Sequence, residues 1–236
     1  MNRIIRTAVA VLLAGNLAHA QAPARKIKFR TLCLEHVGDI KQVQLVAPDG
    51  KTGIPLDLFT SVISKEVEAT VTGDQLNFGI PGKDAKGADG FKPVATAKAL
   101  ASNRQLALFL PGQPGGTPYS VVMVDDNEAT WPMGSTRLYN LAPTPVRFDI
   151  GENSKVVAPG KSDIVPQAKK VNALNQCPVV ISFADKAGKL IPVNSTLWLS
   201  TDQQRSLAIS FIHPITKQPT VNSFPETPPW RLPKLD

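Results

Sequence analysis

The chain has 236 residues with 42% hydrophobic and 19% charged side chains and a formal charge of +7 at neutral pH, a composition that excludes wholesale disorder and leaves enough apolar side chains for real cores. Twenty-one prolines and sixteen glycines argue against long helices and for many short strands joined by tight turns. The basic residues are scattered as singles and pairs, Lys169-Lys170 being the densest, without the clustered positive stripe that a nucleic-acid surface needs.

Residues 1–20 read as a signal peptide. Arg3 and Arg6 form a basic start, Thr7–Ala18 is an apolar run too short to span a bilayer comfortably, and Ala18-His19-Ala20 is a small-x-small cleavage site. The alternative, an N-terminal membrane anchor, is disfavoured by Gly15 and Asn16 within the run. Cleavage there leaves 216 residues of net charge +5 and predicts an exported protein of the periplasm, cell surface or extracellular space. No second apolar run reaches membrane-spanning length.

After a linker at 21–26, the first β-module is expected over 27–124. Ile27–Leu34, Lys41–Val46, Ile54–Phe59, Glu66–Thr72, Leu76–Ile80 and Pro93–Lys98 read as short strands, bounded by Pro, Gly, Asp and Asn. Gly73-Asp74 signals a hairpin, Pro81–Gly90 a polar surface loop, and Leu56–Lys65 is the best, weak, helix candidate. Arg104–Val124 then gives two period-2 apolar runs around a Pro/Gly loop, a β-hairpin pattern.

That hairpin recurs. Arg104, Leu106, Ala107 and Leu108 line up with Arg205, Leu207, Ala208 and Ile209, and Phe91-Lys92-Pro93-Val94 lines up with Leu190-Ile191-Pro192-Val193. The chain is therefore read as all-β, two tandem antiparallel β-sandwich modules of immunoglobulin-like type related by a diverged internal repeat. Residues 125–134 form the junction, 135–224 the second module and 225–236 a proline-rich tail. Trp230 and Leu232 favour a tail docked against the sandwich over a disordered one.

Tyr139–Gly160 (YNLAPTPVRFDIGENSKVVAPG) resembles uncharacterised exported bacterial proteins built from tandem small immunoglobulin-like or transthyretin-like sandwiches. The likeness rests on Asn140-Leu141, a proline bend, the strand Pro145–Ile150 and the turn Val156–Gly160. Phe29-Arg30-Thr31-Leu32 and Val43–Gly50 resemble the same opening in degraded form. The resemblance implies fold and compartment and transfers no functional residue.

Candidate chemistry is sparse. Beyond the leader only His36 and His213 remain, and no HExxH, GxSxG, CxxC or GxxxxGK spacing occurs. No catalytic, cofactor-binding or metal-binding residue is assigned. Asp125-Asp126-Asn127-Glu128 is the densest acidic run and the best calcium candidate, with Asp84 and Asp89 weaker, but its spacing is not that of an EF-hand. Trp131, Trp198 and Trp230 lie too far apart in sequence for a sugar platform, and Trp198 points away from Leu197 and Leu199. Cys33 and Cys177 invite a disulfide across the halves; the alternative is two separate buried thiols.

Three functions are carried forward. The leading one is a non-enzymatic structural or binding component of the envelope, meeting a protein or glycan partner through an edge strand or an inter-module cleft. The second is a pilus-type periplasmic chaperone, whose apolar edge strand would be Tyr119, Val121, Val122 and Val124. The third is a hydrolase with scattered active-site residues.

Overall fold

The computed structural model describes residues 24–83, 87, 89–213 and 216–233. The proposed leader, the first half of the linker (21–23) and Asp84 lie outside the described residues. The first module contains β1 (Arg25–Cys33), β2 (Gln42–Val46), β3 (Gly53–Asp57), β4 (Val67–Val71), β5 (Gln75–Lys83), β6 (Asp89–Lys98), β7 (Arg104–Pro111) and β8 (Tyr119–Asp125). The second contains β9 (Thr136–Asn140), β10 (Val146–Ile150), β11 (Asn153–Val157), β12 (Ser162–Val165), β13 (Gln176–Ala184), β14 (Leu190–Leu199), β15 (Arg205–Ile212) and β16 (Pro219–Glu226). A 3-10 turn, Pro229–Arg231, follows.

The sheets show the repeat in full. Module 1 pairs β4-β1-β7-β8 in one sheet and β3-β2-β5-β6 in the other; module 2 pairs β12-β9-β15-β16 and β11-β10-β13-β14. Each strand of the first module thus has a counterpart eight strands later. Arg104 and Arg205 open the equivalent strands β7 and β15, as their sequence alignment requires. The shared Pro-Val motif also has a structural cause. Pro93 pairs with Gly79 and Pro192 with Ser182, and in both copies the ladder then skips the following valine, Val94 or Val193, at a β-bulge.

Three features depart from the sequence reading. One pair in each sandwich is parallel, β1 with β7 and β9 with β15. The Gly73-Asp74 turn, with Gly73 at φ +74°, does not close a hairpin; it carries the chain from β4 in one sheet to β5 in the other. Ala69 and Val71 then face Leu76 and Phe78 within one apolar core, where burial on the inner faces outweighs lateral pairing. Leu56–Lys65 is not helical: β3 ends at Asp57, and the following loop lays Leu58 into the core and aims the Ser64 hydroxyl at the Thr31 N–H, 2.8 Å away.

Each module has its own core. Ile27, Phe29, Phe78, Phe109 and Tyr119 anchor the first, with Phe109 edge-on to both Phe78 and Tyr119. Leu138, Val146, Phe148, Val179 and Ile181 anchor the second. A third apolar cluster belongs to both modules. Leu32, Leu106, Leu108 and Val124 from β1, β7 and β8 meet Leu207, Ile209 and Phe224 from β15 and β16, with Trp131 between them. Leu106 and Leu207, Leu108 and Ile209, and Val124 and Phe224 are repeat-equivalent by register. Both modules therefore use the same patch, as in a symmetric dimer interface, but within one chain.

The inter-module junction as candidate functional site

Charges that look like surface residues in the sequence converge at one end of this shared cluster. Arg30 stands mid-way along β1 on the face it shares with Leu32 of the inter-module cluster, so its side chain points from that strand towards the other module. Arg205 opens β15. Asp126 follows β8, and Glu226 ends β16 opposite Arg205. The Asp126 N–H bonds the Arg104 carbonyl, so the two carboxylates also hold equivalent places in the repeat.

The four side chains form a closed network. Arg30 donates from Nε and Nη2 to the two Asp126 oxygens, both at 2.7 Å, and from Nη2 to Glu226 at 2.8 Å. Arg205 donates from Nε to Glu226 at 2.9 Å, pairs with Asp126 through Nη2, and reaches the Trp131 carbonyl at 3.1 Å through Nη1. Arg30, Asp126 and Arg205 are no more than 2% exposed, and Glu226 shows 10% of its side chain. Two positive and two negative charges thus cancel in a nearly dry site, where forked hydrogen bonds offset the cost of desolvation. Burial opposes the charge on Arg30, but hydrogen bonds to Glu226 and Asp126 outweigh it and hold the guanidinium more firmly protonated than usual.

Two tryptophans cover the network reciprocally. Trp131 leaves module 1 and lies 3.9 Å from the Arg205 guanidinium, with Arg137 on β9 at 5.5 Å. Trp230 leaves module 2 and lies 4.1 Å from Arg104, with Arg30 at 5.2 Å. Arg104 and Arg205 are repeat equivalents, as are Arg30 and Arg137, which pair with Leu106 and Leu207. Each aromatic ring thus has its nearest guanidinium in the opposite module, where the ring quadrupole attracts the cation, and Trp230 also has Arg205 of its own module at 5.3 Å. The tail is docked, as Trp230 suggests in the sequence: its Nε1 donates to Glu128 at 2.6 Å, and Arg231 pairs with the same carboxylate.

The acidic run at Asp125–Glu128 is divided among these partners. Asp125 accepts from Ser102, Asp126 from the buried arginines, and Glu128 from Trp230 and Arg231. Among the described residues no group of three or more His, Cys, Asp or Glu side chains converges as a metal site.

At the other end of the shared cluster the modules part and leave a cleft of about 560 Å³. Leu34 and Leu110 of module 1 face Leu141 and Phe211 of module 2 across its floor. These too are equivalent positions of the repeat. Glu35, Gln113, His213, Thr220 and Asn222 line the polar part of the wall. His213 stacks on Phe211, with centroids 6.5 Å apart.

The other sequence candidates separate. Cys33 and Cys177 are free and buried, so of the two alternatives left open by the sequence the structure has the separate thiols and not the disulfide. Cys33 packs in the core of module 1 and Cys177 in that of module 2, so neither thiol faces the junction that a bridge would have to cross. Burial pushes the Cys33 thiol up to about 11. Cys33 also occupies the β1 place held by Asn140 in β9, by their pairing with Phe109 and Ser210. Asn140 donates to the Thr144 and Val157 carbonyls and accepts from the Ala142 N–H, fixing the proline bend of module 2; the Cys33 thiol donates only to the Glu35 carbonyl. His36 holds the Leu58 carbonyl.

β8 ends its sheet, but both of its faces are packed. Tyr119 is buried with its hydroxyl on the Ile40 carbonyl, Val121 lies against the first core, and Val122 and Val124 lie in the shared cluster. Trp198 packs against the core of module 2, so the three tryptophans share no face. Sequence reasoning missed Arg30, Glu226 and the role of Asp126. The available signal was one arginine repeated at the head of each hairpin, Arg104 and Arg205. No protein-family model matches the chain, and no curated protein matches it.

Proposed function

We propose that the chain is a non-enzymatic, exported binding protein of the cell envelope, whose ligand lies in the cleft between two modules clamped at a fixed angle. The cleft between Leu34, Leu110, Leu141 and Phe211 carries this reading, because it opens at one end of an interface that the arginine–carboxylate network closes at the other. An apolar floor beside Gln113, Thr220 and Asn222 suits a protein segment that buries side chains and satisfies its backbone at the wall. Export rests on the sequence of residues 1–20, and kinship with tandem immunoglobulin-like exported proteins on Tyr139–Gly160.

The pilus-chaperone reading draws less support. Its capture strand would be β8, whose valines are packed, and its carboxylate anchor would need basic residues that Asp126 and Glu226 already hold.

The test is a pull-down from envelope extract with mature protein, compared with Gln113→Trp and Thr220→Trp, which fill the cleft from its wall. A partner retained by the wild type and lost from both variants supports the reading. Binding unaffected by either, or turnover of ester, peptide or glycoside substrates by the wild type, contradicts it.

A further inference from the structure

The internal repeat makes one corner of each sandwich directly comparable. By ladder register, Phe29 and Gln105 of module 1 correspond to Thr136 and Ser206 of module 2, and Met123 corresponds to Ser223. Each alternates with a residue of the inter-module face, so all six point between the sheets of their own module. In module 1 this corner is full. Phe29 and Gln105 are completely buried, and Met123 packs on the core. Gln105 also ties down the turn before β7, accepting from the Leu100 N–H at 3.0 Å and donating to the Leu100 and Ser102 carbonyls at 3.0 and 2.7 Å.

In module 2 the three smaller side chains line a pocket of about 250 Å³. The sheets part beside it: β14 stands away from β16, whereas their counterparts β6 and β8 run close together. Trp198 lines the pocket from the opposite sheet, where module 1, counted from the shared bulge, has Ala99. Among the described residues none that lines the pocket is charged. Its polar wall is made of hydroxyls and an amide, from Thr136, Thr201, Ser206, Ser223 and Gln204. Thr136 is only 9% exposed, yet its hydroxyl, like those of Ser206 and Ser223 and the Trp198 Nε1, hydrogen-bonds to none of the described residues. A buried hydroxyl without a partner is costly, and these groups are donors and acceptors that a ligand can satisfy.

We propose that this pocket is a second binding site, for one neutral sugar ring. The chemistry of the lining selects that ligand. An ion would find no counter-charge there, and a purely apolar ligand would strand the Thr136 hydroxyl. A neutral polyol offers both donors and acceptors to the hydroxyls, and the C–H face of a pyranose suits the negative face of the Trp198 ring. The volume falls just under the roughly 300–1,000 Å³ of drug-sized pockets, which favours a single ring over a chain. The site shares no lining residue with the inter-module cleft, so the inference goes beyond the binding reading above and stands or falls apart from it.

The experiment is isothermal titration of the mature protein with glucose, galactose, mannose and N-acetylglucosamine over a millimolar range, with glucuronate as the charged probe. At least one neutral sugar should bind, and glucuronate should bind more weakly than the best of them. Thr136→Val should raise the melting temperature, by removing a stranded hydroxyl, while weakening sugar binding; a merely structural threonine would instead lose stability. Ser206→Gln and Thr136→Phe restore the side chains of module 1, and each should abolish binding with the circular dichroism spectrum unchanged. Gln113→Trp, in the inter-module cleft, should bind sugar as the wild type does. Absence of binding by all four neutral sugars overturns the proposal. So does binding that survives both Ser206→Gln and Thr136→Phe, or a preference for glucuronate.

Discussion

Trp131 and Trp230 occupy matching places after the last strands of their modules, and each lies on an arginine of the other module, at 3.9 Å from Arg205 and 4.1 Å from Arg104. The exchange is not energetically even. Trp131 is fully buried in the shared cluster, whereas Trp230 is half-buried on a short 3-10 turn. Trp131→Ala should destabilise the protein by about 3–5 kcal/mol through the cavity it leaves. Trp230→Ala should cost about 1–2 kcal/mol, the scale of a partly desolvated cation–π contact, and release only the tail. Urea unfolding of both variants, with proteolysis of the tail as second readout, checks this order.

Asp126 is the hub of the charge network, because Arg30 and Arg205 both end on it. Asp126→Asn keeps its shape but removes the charge, leaving two buried guanidiniums to share Glu226. A loss of about 3–5 kcal/mol is expected, the usual result of breaking one partner from a buried pair. Glu226→Gln should cost less, since its carboxylate retains access to water. Denaturant midpoints at constant slope measure both.

Acid should loosen the tail. The hydrogen bond from Arg231, with the one from Trp230, holds Glu128 down to about 2 from an ordinary 4.5. A carboxylate depressed in the folded state stabilises it above its unfolded value and loses that contribution as pH falls through the folded one. The stability difference between wild type and Glu128→Gln should therefore be full above about pH 4.5 and vanish near pH 2. Trp230 fluorescence should follow the same course. A difference that persists unchanged at pH 2 would show that Glu128 does not hold the tail.

Both thiols should behave as small core residues. Cys33 and Cys177 are 0% and 2% exposed and lie in separate cores. A thiol reagent should label neither in the native protein and both in urea, and a reductant should leave the melting temperature unchanged. A reductant-dependent melting point would instead require a bridge between modules.

The parts of this architecture that were legible in the sequence are those with a local signature. Period-2 runs around a Pro/Gly turn need no partner to be recognised; the clearest case, the loop Pro111–Pro118, marks the β7–β8 hairpin, and Pro93 and Pro192 mark the repeated bulge. β12, Ser-Asp-Ile-Val, is too short to show alternation. The parallel pairing of β1 with β7 leaves no local trace, because the strands lie far apart in the chain. The junction was hidden for a related reason. Arg30, Asp126 and Glu226 are ordinary surface residues until two sandwiches face each other, and Asp126 is masked further by its acidic neighbours. Only the matched positions of Arg104 and Arg205 hinted that charge belonged to the repeat.

Arg30, Asp126, Arg205, Glu226 and the apolar cluster beside them make the two sandwiches one body. Scanning calorimetry of the mature protein tests this most directly. A single endotherm whose calorimetric and van't Hoff enthalpies agree is expected for the wild type, resolving into two transitions in Asp126→Asn as the modules uncouple. Two independent transitions in the wild type, unchanged by Asp126→Asn, would contradict it.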